Sequence, residues 1–117
     1  MFRYVLRPHA GFDATEASRF ATGFSQPLVV RPASGDPVPA PFTLESNSIN
    51  VLAFKPADDG DGYVMTLYNP GHQSDTFTLL PKTGAKVHSC DTGENRLREL
   101  SGPVELGGQE VVSVRFR

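Results

Sequence analysis

The densest group of chemically useful side chains in this chain is Asp58-Asp59-Gly60-Asp61-Gly62, a run of carboxylates on a glycine-containing loop of the kind a hard cation needs. Its spacing argues against a dedicated calcium loop. Counted from Asp59, the places that require Asp/Asn and Gly hold Tyr63 and Val64, and Pro70 stands where a bidentate Glu belongs. The run reads instead as a solvated hairpin turn. A second candidate is His88-Ser89-Cys90, which puts an imidazole and a thiol on one face of a strand. A catalytic zinc takes three protein ligands and a structural one four, and only His9 and His72 remain, on distant loops, so no metal ligand is assigned. There is no Gly-x-Ser-x-Gly elbow, His-Glu-x-x-His pair, phosphate loop or dinucleotide fingerprint. No catalytic or cofactor-binding residue is assigned either.

Two non-catalytic sites are left. Small β-sandwiches that bind carbohydrate stack sugar rings on exposed aromatic planes, and with no Trp in the chain that role falls to Tyr63 or Tyr68. The other is the loop Pro8-His9-Ala10-Gly11, where His9 beside Gly11, between a strand and a helix, can present an imidazole outward or tie the loop to its own backbone.

The elements that would position these residues are short. Residues 2–7 alternate, with Phe2, Tyr4 and Leu6 on one face and Arg3 and Arg7 on the other, the pattern of a half-buried strand that Pro8 ends. Asp13-Ala14-Thr15-Glu16 resembles a capping box, and Ala14, Ala17, Phe20 or Ala21, and Phe24 follow at helical spacing. The spacing predicts a helix over 14–22, stopped by residues 23–27. From Leu28 the period becomes two. Strands are expected at 28–31, 42–45, 49–55, 63–69, 75–80, 85–91 and 103–106, with a last one at 111–117. The runs 49–55 and 63–69 form a hairpin around the acidic turn, and the second has no clean polar side, which marks a central strand covered on both faces. In the last strand Val112, Val114 and Phe116 point inward while Arg115 and Arg117 lie on an outward basic face. Strands at intervals of about ten residues, with turn signals between them, predict a mainly β protein: an antiparallel two-sheet β-sandwich with one short α-helix near the N-terminus.

Composition agrees and excludes several classes. The 117 residues include 11 Gly and 10 Pro, spread rather than clustered, 38% hydrophobic residues, one Cys and a net charge of -2. That length makes one domain with a core of its own, without disulfides. The charge balance gives no attraction to nucleic acid or anionic lipid. No stretch approaches the ~20 apolar residues of a membrane span, and residues 2–6 are interrupted by Arg3, so neither a span nor a signal peptide is read. The sequence leaves the compartment open, with the single Cys and the lack of a signal peptide in this fragment favouring the cytoplasm.

Two blocks resemble a known family. Tyr4-Val5-Leu6-Arg7-Pro8-His9-Ala10-Gly11, then a helical stretch leading to Phe24-Ser25-Gln26-Pro27-Leu28, is similar to the Tyr-Ala-Leu-x-Pro-His-x-Gly … Phe-Asn-x-Pro-Leu passage in the C-terminal half of glycoside hydrolase family 38, the retaining α-mannosidases. Residues 51–70, from Val51-Leu52-Ala53 through Asp59-Gly60 to Leu67-Tyr68-Asn69-Pro70, resemble that family's Leu-Lys-x-x-Glu-Asp-Gly … Arg-Leu-Tyr-Asn hairpin, in the family's order. The tail from Val104 to Phe116 looks like its closing strand. Phe12-Asp13 replaces the family's Asp-Trp, and Thr66 replaces the Arg before Leu-Tyr-Asn.

The resemblance implies one β-sandwich domain over residues 1–117, a fragment from the C-terminal end of a larger α-mannosidase-like glycoside hydrolase. The family's zinc ion, nucleophilic Asp and acid/base Asp belong to an N-terminal catalytic domain, so this chain alone is expected to hold no cofactor and to be inert. Its expected role is structural support and inter-domain packing, with the His9–Gly11 loop lent to the rim of the substrate cleft. Expected partners are the parent's other domains, with carbohydrate as a further ligand and homo-association of the isolated fragment. Nucleic acid and membrane are not expected. The alternative is a free-standing carbohydrate-binding module using Tyr63 or Tyr68.

Overall fold

Alternating apolar residues from position 42 onward produce eight strands in the computed structural model, which describes residues 2–26, 28–32 and 34–117. These are β1 (Phe42–Ser46), β2 (Asn50–Pro56), β3 (Tyr63–Tyr68), β4 (Asp75–Pro81), β5 (Val87–Cys90), β6 (Arg96–Leu100), β7 (Val104–Leu106) and β8 (Val111–Phe116). A helix, α1 (Ala14–Ser25), precedes them. The strands form a three-stranded sheet in the order β1-β4-β7 and a five-stranded sheet in the order β2-β3-β8-β5-β6, with every pairing antiparallel. The chain is therefore mainly β, a two-sheet sandwich with one short helix.

The core lies between the sheets because both contribute their apolar parity to it. Met65 and Leu67 of β3, Val114 and Phe116 of β8 and Val87 of β5 meet Phe77 and Leu79 of β4 and Leu106 of β7. At one edge Phe54 stacks on Tyr63 at 5.2 Å, and the rings of Phe42 and Phe116 close the group. Strand β3 sits between β2 and β8, as its lack of a polar side predicts. Its outward Val64 is buried too, in a small cluster with Ala57 and Cys90.

Polar side chains fix the crossovers. Asn69, fully buried, donates from Nδ2 to the carbonyls of Gln73, Leu106 and Gly107 while its Oδ1 accepts from Gly71 N–H, so the β3–β4 and β7–β8 connections are held as one unit. Asp75 accepts from both the backbone N–H and the hydroxyl of Ser48, at 2.9 and 2.5 Å, and so pins the β1–β2 turn to β4. Gly62 ends the β2–β3 turn at φ 94°, where a Cβ would stand 2.3 Å from the Phe116 carbonyl oxygen. Only glycine satisfies both conditions.

Five expectations are corrected. Residues 2–7 and 28–31 pair with no strand; Phe2, Tyr4, Leu6, Leu28 and Val30 are almost fully exposed, because no described sheet edge lies beside them. Helix α1 runs on to Ser25, since the Thr22 carbonyl accepts from Gln26 N–H at 2.8 Å and Gly23 does not break it. Pro27, part of the expected stop, and Ala33, in the expected loop, lie outside the described residues. Asp13 caps α1 by accepting from Glu16 N–H at 2.9 Å, but the Glu16 carboxylate turns to Arg7 and Arg19 rather than back to the cap. Strand β6 was not expected. Finally, Arg115 is not on an outward solvated face. Its side chain is buried, because the β2–β3 and β5–β6 turns fold over that end of the sheet and surround it with acceptors.

Candidate functional site

The first site is built where the N-terminal segment lies along α1. Arg3 and Arg7 place their guanidinium groups over the rings of Phe24 and Phe20, at 5.1 and 5.7 Å, so the segment runs antiparallel to the helix. Arg7 also meets the Glu16 carboxylate at 3.3 Å. Beyond Arg7 the chain turns, and His9 Nδ1 lies 2.9 Å from the Gly11 carbonyl oxygen. A carbonyl can only accept, so Nδ1 donates in this contact, and in the neutral ring Nε2 is left as an acceptor. The imidazole edge packs against Phe12 at 6.4 Å. Between this loop and the first turns of α1 is an open cleft of about 460 Å³ whose walls include Arg7, His9, Gly11, Phe12, Glu16 and Phe20. It offers an apolar ring, a cation–carboxylate pair and one free imidazole nitrogen, groups that can hold a hydroxyl-rich ligand or a partner loop. His9 and Gly11 are thus brought together, and the imidazole is tied to its own loop. The Arg7–Glu16 pair and the Phe20 wall went unread, although Arg7 beside the loop and Glu16 in the capping sequence were the available signals.

The second site is the acidic turn. Asp59 takes Arg115 Nη2 on both carboxylate oxygens at 2.6 Å, and the same nitrogen donates to the Asp61 carbonyl at 2.9 Å. Asp61 pairs with Arg117 at 2.7 Å and Arg96 at 2.9 Å. Glu94, at φ 63°, accepts from Asp58 N–H and pairs with Lys55, while its carbonyl accepts from Arg115 Nη1 at 3.1 Å. These cations hold the carboxyl groups below their ordinary range: Arg115 acts on Asp59, Arg117 on Asp61, and Lys55 on Glu94. Carboxylates committed in this way are not free to ligate a metal. The cluster locks the turns.

The remaining candidates separate. Tyr63 points toward the core side of β3 and stacks on Phe54, whereas Tyr68 lies on the opposite face. No shared sugar platform is formed. His88 and Cys90 do share the outer face of β5, paired across from Arg115 and Ser113. Burial pushes the Cys90 thiol up, which makes it a poor nucleophile. His9, His72 and His88 sit on different elements, and no group of three or more His, Cys, Asp or Glu among the described residues is arranged to hold a metal ion.

The strand pattern from β2 to β8 is what comparison with known proteins recognises. The model of the family described as glycosyl hydrolases family 38 C-terminal beta sandwich domain matches residues 48–114, more than half of the chain. The chain belongs to this family. The family 38 match contains the hairpin, Asn69, Glu94 and most of β8, and it excludes α1 and the His9 loop. A relative from Halalkalibacterium halodurans, named "Putative mannosylglycerate hydrolase", is 23% identical over 124 residues, covering 97% of this chain. The chain spans 14% of that relative's length. No solved structure matches. The zinc that the family 38 resemblance implies does not fit the described donor set of this domain, because its histidines are dispersed and its clustered carboxylates are held by Lys55, Arg96, Arg115 and Arg117.

Proposed function

We propose that this chain is the non-catalytic C-terminal sandwich of a larger α-mannosidase-like glycoside hydrolase, where it supports and packs against neighbouring domains. The zinc ion and the catalytic carboxylates belong to those other domains. The observation that carries the reading is the uncovered apolar surface of Phe2, Tyr4, Leu6, Phe12 and Leu28, which a domain acquires when the surfaces that cover it are elsewhere in the polypeptide. The His9–Gly11 loop lies at the rim of the parent's substrate cleft. There the free Nε2 can accept a hydrogen bond from a substrate hydroxyl, while Arg7 and Glu16 hold the loop against α1.

The relative's name makes mannosylglycerate the first parent substrate to try, beside aryl α-mannosides. The isolated chain releases no sugar from either, with or without zinc, whereas the parent turns one over. His9→Ala in the parent raises KM several-fold with little change in kcat. Zinc-dependent turnover by the repurified isolated chain would overturn the non-catalytic reading. Saturable chemical-shift changes at Tyr63 or Tyr68 on titration with mannose would instead make the domain a sugar-binding module.

A further inference from the structure

Residues 2–7 carry an arrangement that the sandwich does not explain. Arg3 and Arg7 turn onto α1, while Phe2, Tyr4 and Leu6 turn away from it and are 88%, 85% and 93% exposed. That is period-two alternation, one side reaching the helix through two guanidinium–ring contacts and the other an uncovered apolar row. Neither backbone edge is paired, since strand ladders among the described residues begin only at Phe42. Residues 28–31, which follow α1 in sequence, are also unpaired, and Leu28, Val29 and Val30 are all exposed. The helix between them has no buried residue. It touches the sandwich through polar contacts of Arg19, which donates to the Asn47 carbonyl at 2.7 Å and to Asn50 Oδ1 at 3.3 Å.

We propose that residues 2–7 and 28–31 are strands of a β-sheet belonging to another domain of the parent polypeptide, with α1 covering one face of that sheet. The Phe2, Tyr4 and Leu6 row is buried on its other face. The inference rests on the reading of the chain as part of a longer hydrolase and goes further, naming the occupant and how it binds. The occupant follows from the backbone. Covering the apolar row desolvates the N–H and C=O groups between those side chains, and a buried backbone needs partners along both edges; neighbouring strands supply them and a helix or an apolar groove does not. Room for such a sheet exists in the parent, because the relative that matches 97% of this chain is about seven times longer, as its 14% coverage states. On this account the sandwich proper begins at β1, and residues 2–32 are an arm that belongs structurally to its neighbour.

Hydrogen exchange tests this on the 117-residue chain and on the parent polypeptide. Amides of residues 4–6 and 29–31 exchange freely in the isolated chain and slow by at least about 100-fold in the parent. Tyr4→Pro and Val29→Pro, which each remove one backbone donor, leave the thermal midpoint of the isolated chain unchanged and lower that of the parent by several degrees. Fast exchange of these amides in both proteins would overturn strand addition. If other surfaces of the sandwich were protected in that parent, inter-domain packing would stand without it; if none were, both readings would fall. Protection that appears in the isolated chain only as concentration rises, together with a dimer in light scattering, would make a second copy the occupant and overturn the proposal. A reading frame that encodes no further domain would do so as well.

Discussion

Replacing Leu67 by Ala tests where the centre of the fold lies. Leu67 has no exposed surface, faces the inter-sheet core from β3, and is paired with Val51 on one side and Val112 on the other. The substitution removes three carbons, a transfer loss of about 2.4 kcal/mol at about 0.8 kcal/mol each. Strands on both sides and a second sheet opposite leave the site little freedom to collapse, so a cavity adds about 24 cal/mol for each Å³ that persists, and the expected loss is about 3 to 5 kcal/mol. With a urea m-value of about 2 kcal/mol/M, the unfolding midpoint falls by about 1.5 to 2.5 M. Leu97→Ala provides the control. That residue is on the edge strand β6 and 66% exposed, and its replacement costs less than about 0.5 kcal/mol. Both midpoints come from urea titrations followed by far-UV circular dichroism. Equal shifts for the two variants would refute the strand register and the central placement of β3.

Arg115→Ala leaves Asp59 and the carbonyls of Asp61 and Glu94 without their common donor, so its thermal midpoint falls well below that of Arg98→Ala. Equal melting curves would contradict the locked-turn account. Asp59, Asp61 and Glu94 have depressed folded-state pKa values, so the stability they contribute is present above the ordinary carboxylate range and lost as pH falls through the folded values. Urea midpoints therefore decline as pH drops below about 4, and Asp59→Asn flattens that decline. The Cys90 thiol, buried and raised, reacts slowly with a disulfide reagent in the native protein and rapidly in urea; fast native labelling would show that it is not covered.

Much of the sandwich was legible because burial and alternation coincide in β3, β4 and β8, where runs such as Tyr63-Val64-Met65 or Val111-Val112 leave no competing reading. Strand β6 was not, since Arg96-Leu97-Arg98-Glu99-Leu100 sits at an edge with all its side chains but Leu100 exposed and owes its conformation to pairing with β5. Residues 2–7 show the converse, a strand pattern without a neighbour to pair with. Arg115 could not be read from its own strand, because its parity says outward and its acceptors on Asp59 and Asp61 lie more than fifty positions away in sequence. Of the candidate sites, the local contact of His9 with Gly11 was legible. The opposite faces of Tyr63 and Tyr68 follow from five-residue spacing on a strand of period two.

Strand β8 is the last in the chain and yet stands in the middle of the larger sheet, bonded to β3 on one side and β5 on the other. During synthesis the β2–β3 and β5–β6 hairpins and all three strands of the smaller sheet emerge before it, so the larger sheet stays in two unjoined halves. The sheet closes only when residues 111–116 have cleared the ribosome, so the domain folds after translation of its final segment rather than in step with it. A premature stop at Gln109 would therefore not yield a shortened sandwich. It would leave the β2–β3 and β5–β6 hairpins unjoined beside the three-stranded sheet, with open inner edges and a core lacking Val114 and Phe116, a species that associates and is degraded rather than folds.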